Sequence, residues 1–438
     1  MQGSKEALSM INKENKLYVI VFFLFAFALL MTIVSAKIIT VFPNLMKNDQ
    51  AAGNSNTAIA WEQIYPFDTV VEVTDSGVVH EGTSSVDKFS EKIKKFSTLG
   101  NKWIGGLPYY GAISKVGYVI NSFISDPSLG STYVKTKNGY WVYVESSRIQ
   151  KDTAKEELVP FISLQNYVES KGKDFIYFYA PSKVCAVDSQ LLDGVVSYEN
   201  ESIDTYLRVM DEYGLRHVDF RKKIHDAGKD HYSLFYITDP HWNVESGLWA
   251  ASELSKELND QFGYSMKNPY DLGNYKLVTF PNAEFGAYGE GVTRVVADPE
   301  DFTIPYPEFE TNYRIEVPHK EIDVTGSFAD VFVNQEDLDK LVANGGGPAY
   351  AKMTYGNPPY AKITNYNNPD GPKVLVIRDS FFSVVAPYFA SSCSELVLID
   401  TRPENGNFSG SIVNVIDTFD PDIVVSFLGY PQAIRLNK

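Results

Sequence analysis

The apolar positions along the chain change their period several times, and each change marks an element. Leu17 to Ala36 (LYVIVFFLFAFALLMTIVSA) runs without a single charge. At ~1.5 Å of helical rise per residue, a run of that length spans a ~30 Å hydrocarbon core. Lys47 to Asn56 is a polar linker. Beyond it Val86, Phe89, Ile93 and Phe96 recur at helical spacing, as do Ile113, Val116, Ile120 and Phe123. In TYVKTKNGYWVYVE, Asn138-Gly139 divides two β-rich runs and predicts a hairpin. Leu158, Phe161, Ile162, Gln165 and Val168 then share one face of an amphipathic helix.

From Phe175 onward the pattern turns to short, continuous apolar runs. Phe175 to Ala180, His217 to Phe220, Val374 to Ile377, Leu396 to Ile399 and Ile423 to Phe427 read as strands buried on both faces. Helical patterns lie between them, over residues 202–213, 244–262, 381–390 and 410–419. Strands alternating with helices predict an α/β fold: a doubly wound, mainly parallel sheet. Between residues 265 and 370 this rhythm breaks. The Tyr-, Pro- and Gly-rich stretches FGAYGEGVTR and YGNPPYAKITNYNNPDGP read as an insertion over the sheet, partly β.

Charge places the apolar run in context. Lys5, Lys13 and Lys16 precede it, so residues 1–16 are expected to stay in the cytoplasm. Val34-Ser35-Ala36 is similar to a cleavage site, but the run exceeds a signal-peptide core, which favours an uncleaved anchor over 17–36. Residues 37–130 then form a membrane-proximal linker and helical region. Residues 131–438 form the α/β domain, outside the cytoplasmic membrane.

A composition of 44% apolar and 14% aromatic residues suffices for a large core. The formal charge of −16 argues against nucleic acid as a partner, because phosphate binding needs a basic surface. Two cysteines, Cys185 and Cys393, exclude a disulfide framework. No histidine pair has metal spacing and no glycine-rich nucleotide loop occurs, so neither metal nor cofactor is expected.

Ligands of open α/β sheets bind beyond the carboxyl ends of the strands. At those ends stand Pro181-Ser182-Lys183, Arg378-Asp379-Ser380 and Asp400-Thr401-Arg402. Ser380, on a strand-to-helix turn, has the placement of an acyl-carrying nucleophile, with helix amides nearby for an oxyanion. Ser380 or Asp379 serves equally as a plain helix cap. In YITDPHWN, Asp239 and His241 flank Pro240. The extended chain before proline puts residues i and i+2 on one side, so Asp239 can orient the His241 ring. The local alternative makes Asp239 the N-cap and Pro240 the first residue of the following helix.

Three segments carry a family resemblance. TKNGYWVYV (136–144), YITDPHWNVESGLWAASEL (236–254) and VLVIRDSFFSVVAPYF (374–389), with LVLIDTR after the last and FYAPSK (178–183) before them, resemble the AlgX/AlgJ-like, DHHW-type group of SGNH-hydrolase-like domains. They span 131–438 in that group's circularly permuted order. The resemblance implies Ser380 as nucleophile, His241 as general base and Asp239 as its orienter. It implies a polysaccharide O-acetyltransferase of the cell envelope, served by an integral-membrane acyltransferase of MBOAT type. Arg378 stands where the wider family often has glycine. The family's oxyanion-hole asparagine has its nearest counterpart at Gly429-Tyr430. Arg378, Arg402, Lys183 and Tyr430 are therefore candidate substrate-binding residues. The same residues leave open an esterase or deacetylase, and a non-catalytic glycan-binding scaffold.

Overall fold

The computed structural model describes residues 133–292, 297–402, 408 and 410–431. The expected anchor at 17–36 and the helical region before residue 130 lie outside the described residues. Among the described residues, no helix is long and apolar enough to cross a membrane.

A hairpin comes first, as the Asn-Gly signal predicts. β1 (Tyr133–Lys135) pairs antiparallel with β2 (Trp141–Tyr143), and Gly139 takes φ +95° in the turn between them. Helix α1 (Lys151–Ser170) follows, burying Ala154, Leu158, Phe161, Leu164, Gln165 and Val168 along one stripe. Next come β3 (Asp174–Tyr179), α2 (Glu199–Glu212), β4 (His217–Asp219) and α3 (Val244–Phe262). Strands β5 (Tyr275–Glu284) and β6 (Glu300–Pro307) form a separate antiparallel ribbon. Then follow β7 (Tyr313–Val317), β8 (Ile322–Gly326), α4 (Gln335–Ala343), β9 (Tyr360–Asn365), β10 (Lys373–Arg378), β11 (Glu395–Ile399), α5 (Ile412–Phe419) and β12 (Ile423–Leu428).

Eight strands make the main sheet, in the order β4-β3-β12-β10-β11-β9-β7-β8. The period of two along each strand divides its side chains between two cores. Ile176, Phe178, Val374, Val376, Leu396 and Val425 face the cluster that includes α3. Their neighbours Phe175, Tyr177, Leu375, Ile377, Val397 and Val424 face α1, α2 and α5. Covering on both faces is what makes these strands read as unbroken apolar runs.

The sheet is mixed rather than mainly parallel. β4, β3, β12, β10 and β11 run parallel, whereas β9, β7 and β8 join antiparallel beside β11. Those three strands come from residues 265–370, so part of that segment extends the sheet instead of lying over it. The helix expected at 381–390 is also broken. A 3₁₀ turn, Ser380–Ser383, precedes a short helix, Ala386–Phe389, whose Pro387 has no amide to continue an earlier turn.

Gly247, in the first turns of α3, marks where that helix meets this broken segment. A Cβ on Gly247 would lie 2.3 Å from the Val384 carbonyl oxygen. Gly247→Ala must push helix and turn apart. We expect it to destabilise the domain by about 1–3 kcal/mol, read as a lower urea midpoint at unchanged m.

Candidate active site

From β10 the chain crosses to β11 on one side and then returns to β12 on the other, so the sheet order reverses around β10. Such a reversal opens a crevice at the carboxyl ends of the strands. A cavity of about 270 Å³ lies there. Ser380 follows β10, Gly429 and Tyr430 follow β12, Ser182 and Lys183 follow β3, and Arg402 follows β11; all line it.

Asp379 builds the turn that presents Ser380. Its backbone is extended, one carboxylate oxygen accepts from the Phe381 amide at 2.9 Å, and the other accepts from the Gly429 amide at 2.7 Å. Asp379 is therefore the cap and Ser380 the first residue of the turn. Burial raises the Asp379 carboxyl, opposed by the Gly429 and Phe381 amides and by the charge of Arg402. The Gly429 amide, at the position nearest the family's asparagine, is thus engaged by Asp379. A four-residue turn also lacks the aligned dipole expected of a longer helix.

His241 reaches the same point from the opposite wall. Its Nε2 stands 2.7 Å from Ser380 Oγ, and its Nδ1 stands 2.5 Å from Asp239 Oδ1. Both His241 and Asp239 are buried. Asp239 does not cap α3; Asn243 does, accepting from the Ser246 amide at 2.9 Å. Freed from that task, Asp239 Oδ1 accepts the His241 amide at 3.0 Å and Oδ2 accepts the Ala287 amide at 2.9 Å. Burial alone would raise this carboxyl, but the His241 ring and the amides outweigh it and hold it below the usual range. Trp242 Nε1 donates to the Phe381 carbonyl at 2.8 Å, tying the histidine loop to the serine turn. The His241 ring packs between Tyr350, with centroids 4.1 Å apart, and Phe381, at 5.0 Å.

The four candidate substrate contacts fare differently. Arg402 binds Asp400 through Nε and Nη2, while Nη1 lies 3.4 Å from Ser380 Oγ. Arg402 thus forms an ion pair with Asp400 at the sheet edge while its Nη1 approaches Ser380. Tyr430 lines the cavity and is 39% exposed. Arg378 is not among the lining residues. It is buried, with its guanidinium donating to Asn357, Ser383 and the carbonyls of Gly356 and Pro358. It braces the turn from behind, where a substrate does not reach. Lys183 borders the cavity, yet its ammonium is spent inward, at 3.0 Å from the Ile237 carbonyl and 2.9 Å from that of Asp239.

Several supporting residues carried no sequence signal. Glu300, at the start of β6, accepts from the amides of Ile237 and Thr238, each at 2.8 Å, and from the Thr238 hydroxyl at 2.9 Å. Gly286 lets the chain pass beside Asp239, since a Cβ there would lie 2.0 Å from Asp239 Oδ2. Only the glycine-rich spelling FGAYGEG hinted at this close approach. Among the described residues no cluster of acidic, histidine or cysteine side chains has the makings of a metal site.

Residues 137–299 match the family model described as an SGNH hydrolase-like domain, acetyltransferase AlgX. The matched segment holds Asp239 and His241, and Ser380 lies beyond it. Among solved structures the domain is similar to PatB1 of Bacillus cereus with a sulfonyl adduct: 14% identity and a TM-score of 0.55, over 68% of this chain and 94% of that one. It is also similar to a DHHW family protein from Eubacterium siraeum, at 16% identity and a TM-score of 0.51, over 68% of this chain and 92% of that one. At these identities the likeness concerns the fold alone. None of the curated proteins matches the chain.

Proposed function

We propose that the protein is an acyl-transfer enzyme, an O-acetyltransferase that modifies an exported or cell-surface polysaccharide through Ser380, His241 and Asp239. One observation carries this reading: Ser380 Oγ, His241 and Asp239 are linked by contacts of 2.7 and 2.5 Å at the edge of a cavity. That is the nucleophile–base–orienter arrangement of serine acyl transfer. The AlgX-type family description, which names an acetyltransferase, supports the choice of acyl group.

In this mechanism His241 Nε2 takes the Ser380 hydroxyl proton as Oγ bonds to the acyl carbonyl carbon. Arg402 Nη1 and the Ser380 amide face the oxyanion that forms. Collapse breaks the bond to the leaving group, which takes the proton from His241 and leaves acyl-Ser380. A sugar hydroxyl then gives its proton to His241, attacks the ester carbonyl and departs acylated, and Ser380 regains its proton. Asp239 balances the imidazolium in both halves. The charge-free run at 17–36 would anchor the domain on the outer side of the cytoplasmic membrane. An integral-membrane acyltransferase of MBOAT type is the partner that would supply acyl groups there.

Full-length protein in detergent should turn over a chromogenic acetyl ester and, given an oligosaccharide acceptor, form acetylated sugar by mass spectrometry. Ester turnover with no acetylated sugar across a panel of acceptors would reassign the protein as an esterase. No turnover, together with no labelling of Ser380 by a sulfonyl fluoride, would remove the acyl-enzyme altogether.

A further inference from the structure

Asp239 and His241 sit on a loop, and a loop holds a catalytic angle only when something else fixes its backbone. Here almost every polar group of residues 236–241 can be traced to a partner. The Tyr236 amide donates to the His241 carbonyl at 3.1 Å, closing the loop on itself. The Ile237 and Thr238 amides both end on the Glu300 carboxylate. The Ile237 carbonyl accepts from the Trp141 amide and from Lys183 Nζ, and the Asp239 carbonyl accepts from Lys183 Nζ. The Thr238 carbonyl accepts from the Gly289 amide at 2.8 Å.

Two side chains of opposite charge thus grip residues 237–239, Glu300 by the amides of Ile237 and Thr238 and Lys183 by the carbonyls of Ile237 and Asp239. They come from distant parts of the chain, the end of β3 and the start of β6. Lys183 is 4% exposed, and no side-chain carboxylate makes a salt bridge with its ammonium among the described residues. Tyr140 and Tyr288 place their rings against it, at 5.6 and 5.2 Å. Burying an ammonium in this way is costly unless its hydrogen bonds do something the fold needs. Burial pulls it down to about 7, with Asp239 and Glu300 opposing.

We propose that Lys183 and Glu300 are a positioning pair that sets the angle at which Asp239 and His241 meet Ser380. The proposal rests on the reading of these three residues as the acyl-transfer triad. Its role differs from substrate binding: the pair never touches the acyl group, and its loss should disturb turnover rather than affinity.

The test uses full-length Lys183→Met, Lys183→Ala and Glu300→Gln with the chromogenic acetyl ester, alongside Ser380→Ala. Lys183→Met should lower kcat by about 10–100-fold, the effect of misplacing a reacting group by about 1 Å, with KM within about twofold of wild type. Glu300→Gln, which keeps its shape and one acceptor oxygen, should lose less, in the same parameter. Propylammonium matches the atoms removed in Lys183→Ala and should restore part of its kcat, since Lys183 borders the cavity. An unchanged kcat, or a rise in KM alone, overturns the proposal and returns Lys183 to substrate binding. A readout independent of turnover is the downfield proton resonance of His241 Nδ1–H bonded to Asp239. It should persist in Ser380→Ala and be lost or shifted in Lys183→Met. Persistence in Lys183→Met refutes the pair whether or not the wild type turns over ester. If wild type and Ser380→Ala are equally inactive while Lys183→Met loses the resonance, the positioning pair stands and the acyl-transfer reading fails.

Discussion

Ser380→Ala is expected to abolish acyl-enzyme formation while the domain stays folded. Among the described residues Ser380 Oγ hydrogen-bonds only with His241 Nε2 and Arg402 Nη1, at 2.7 and 3.4 Å, so its loss removes little that holds the chain together. The turn keeps its shape through Asp379, which accepts from the amides of Phe381 and Gly429, and through Trp242, which donates to the Phe381 carbonyl. A stability change within about 1 kcal/mol is the corresponding expectation. Turnover of the acetyl ester should fall on the order of 10⁴-fold or more, since the base cannot act without the atom it deprotonates. Intact-mass spectrometry after treatment with a sulfonyl fluoride should show one adduct on wild type and none on the variant. An adduct that survives in Ser380→Ala, or turnover within tenfold of wild type, would mean that the nucleophile lies elsewhere.

Much of this site was legible because its parts obey local rules. The strands β3, β10, β11 and β12 announce themselves as apolar runs, and α3 begins and ends where its helical pattern does, at Val244 and Phe262. Once those strands were found, Ser380 and Arg402 had to stand at their carboxyl ends. What escaped is non-local. The antiparallel pairing of β9 with β11 joins segments some 35 residues apart and leaves no periodic trace in either. The cap of α3 passed from Asp239 to Asn243, because an aspartate whose oxygens are taken by His241 and Ala287 cannot also close a helix. Lys183 looked like a substrate contact since a lysine at a strand end usually meets solvent. Only the three-dimensional path of residues 237–239 shows that its hydrogen bonds go to the backbone instead. Polar side chains that serve backbone groups have no spacing rule, and Glu300 was invisible for the same reason.

The contrast between Arg378 and Arg402 sharpens the chemistry at the serine. Both follow or end central strands, and both lie near Asp400. Burial and five internal acceptors lock Arg378 behind the turn, whereas Arg402 keeps Nη1 towards Ser380 Oγ. With the Gly429 amide committed to Asp379, the proposed oxyanion would draw on the cation of Arg402, whose Nη1 lies 3.4 Å from Ser380 Oγ. A charged donor held by a bidentate partner costs little reorganisation when that charge appears.

Asp239→Asn is the second substitution with a large expected effect, and the environment of the carboxylate says why. Oδ1 faces two donors, the His241 amide and His241 Nδ1–H, while Oδ2 faces the Ala287 amide. Asparagine has a single oxygen for these two places. With that oxygen towards His241, its amide group opposes the Ala287 N–H. With the oxygen towards Ala287, the amide opposes the His241 N–H and donates to Nδ1, which forces the ring proton onto Nε2. Nε2 would then be a donor towards Ser380 and could not accept its proton. In either orientation the negative charge that balances the imidazolium is gone. A fall in kcat on the order of 10³–10⁴-fold is expected, with KM little changed, because the lost interaction belongs to the transition state. The fold should persist, since Lys183 and Glu300 still hold the loop backbone. Sulfonyl labelling of Ser380 should slow by a similar factor yet still reach one adduct, as the nucleophile remains. If Asp239→Asn kept kcat within tenfold of wild type, Asp239 would be a brace for the loop, and the charge behind His241 would have to come from another group.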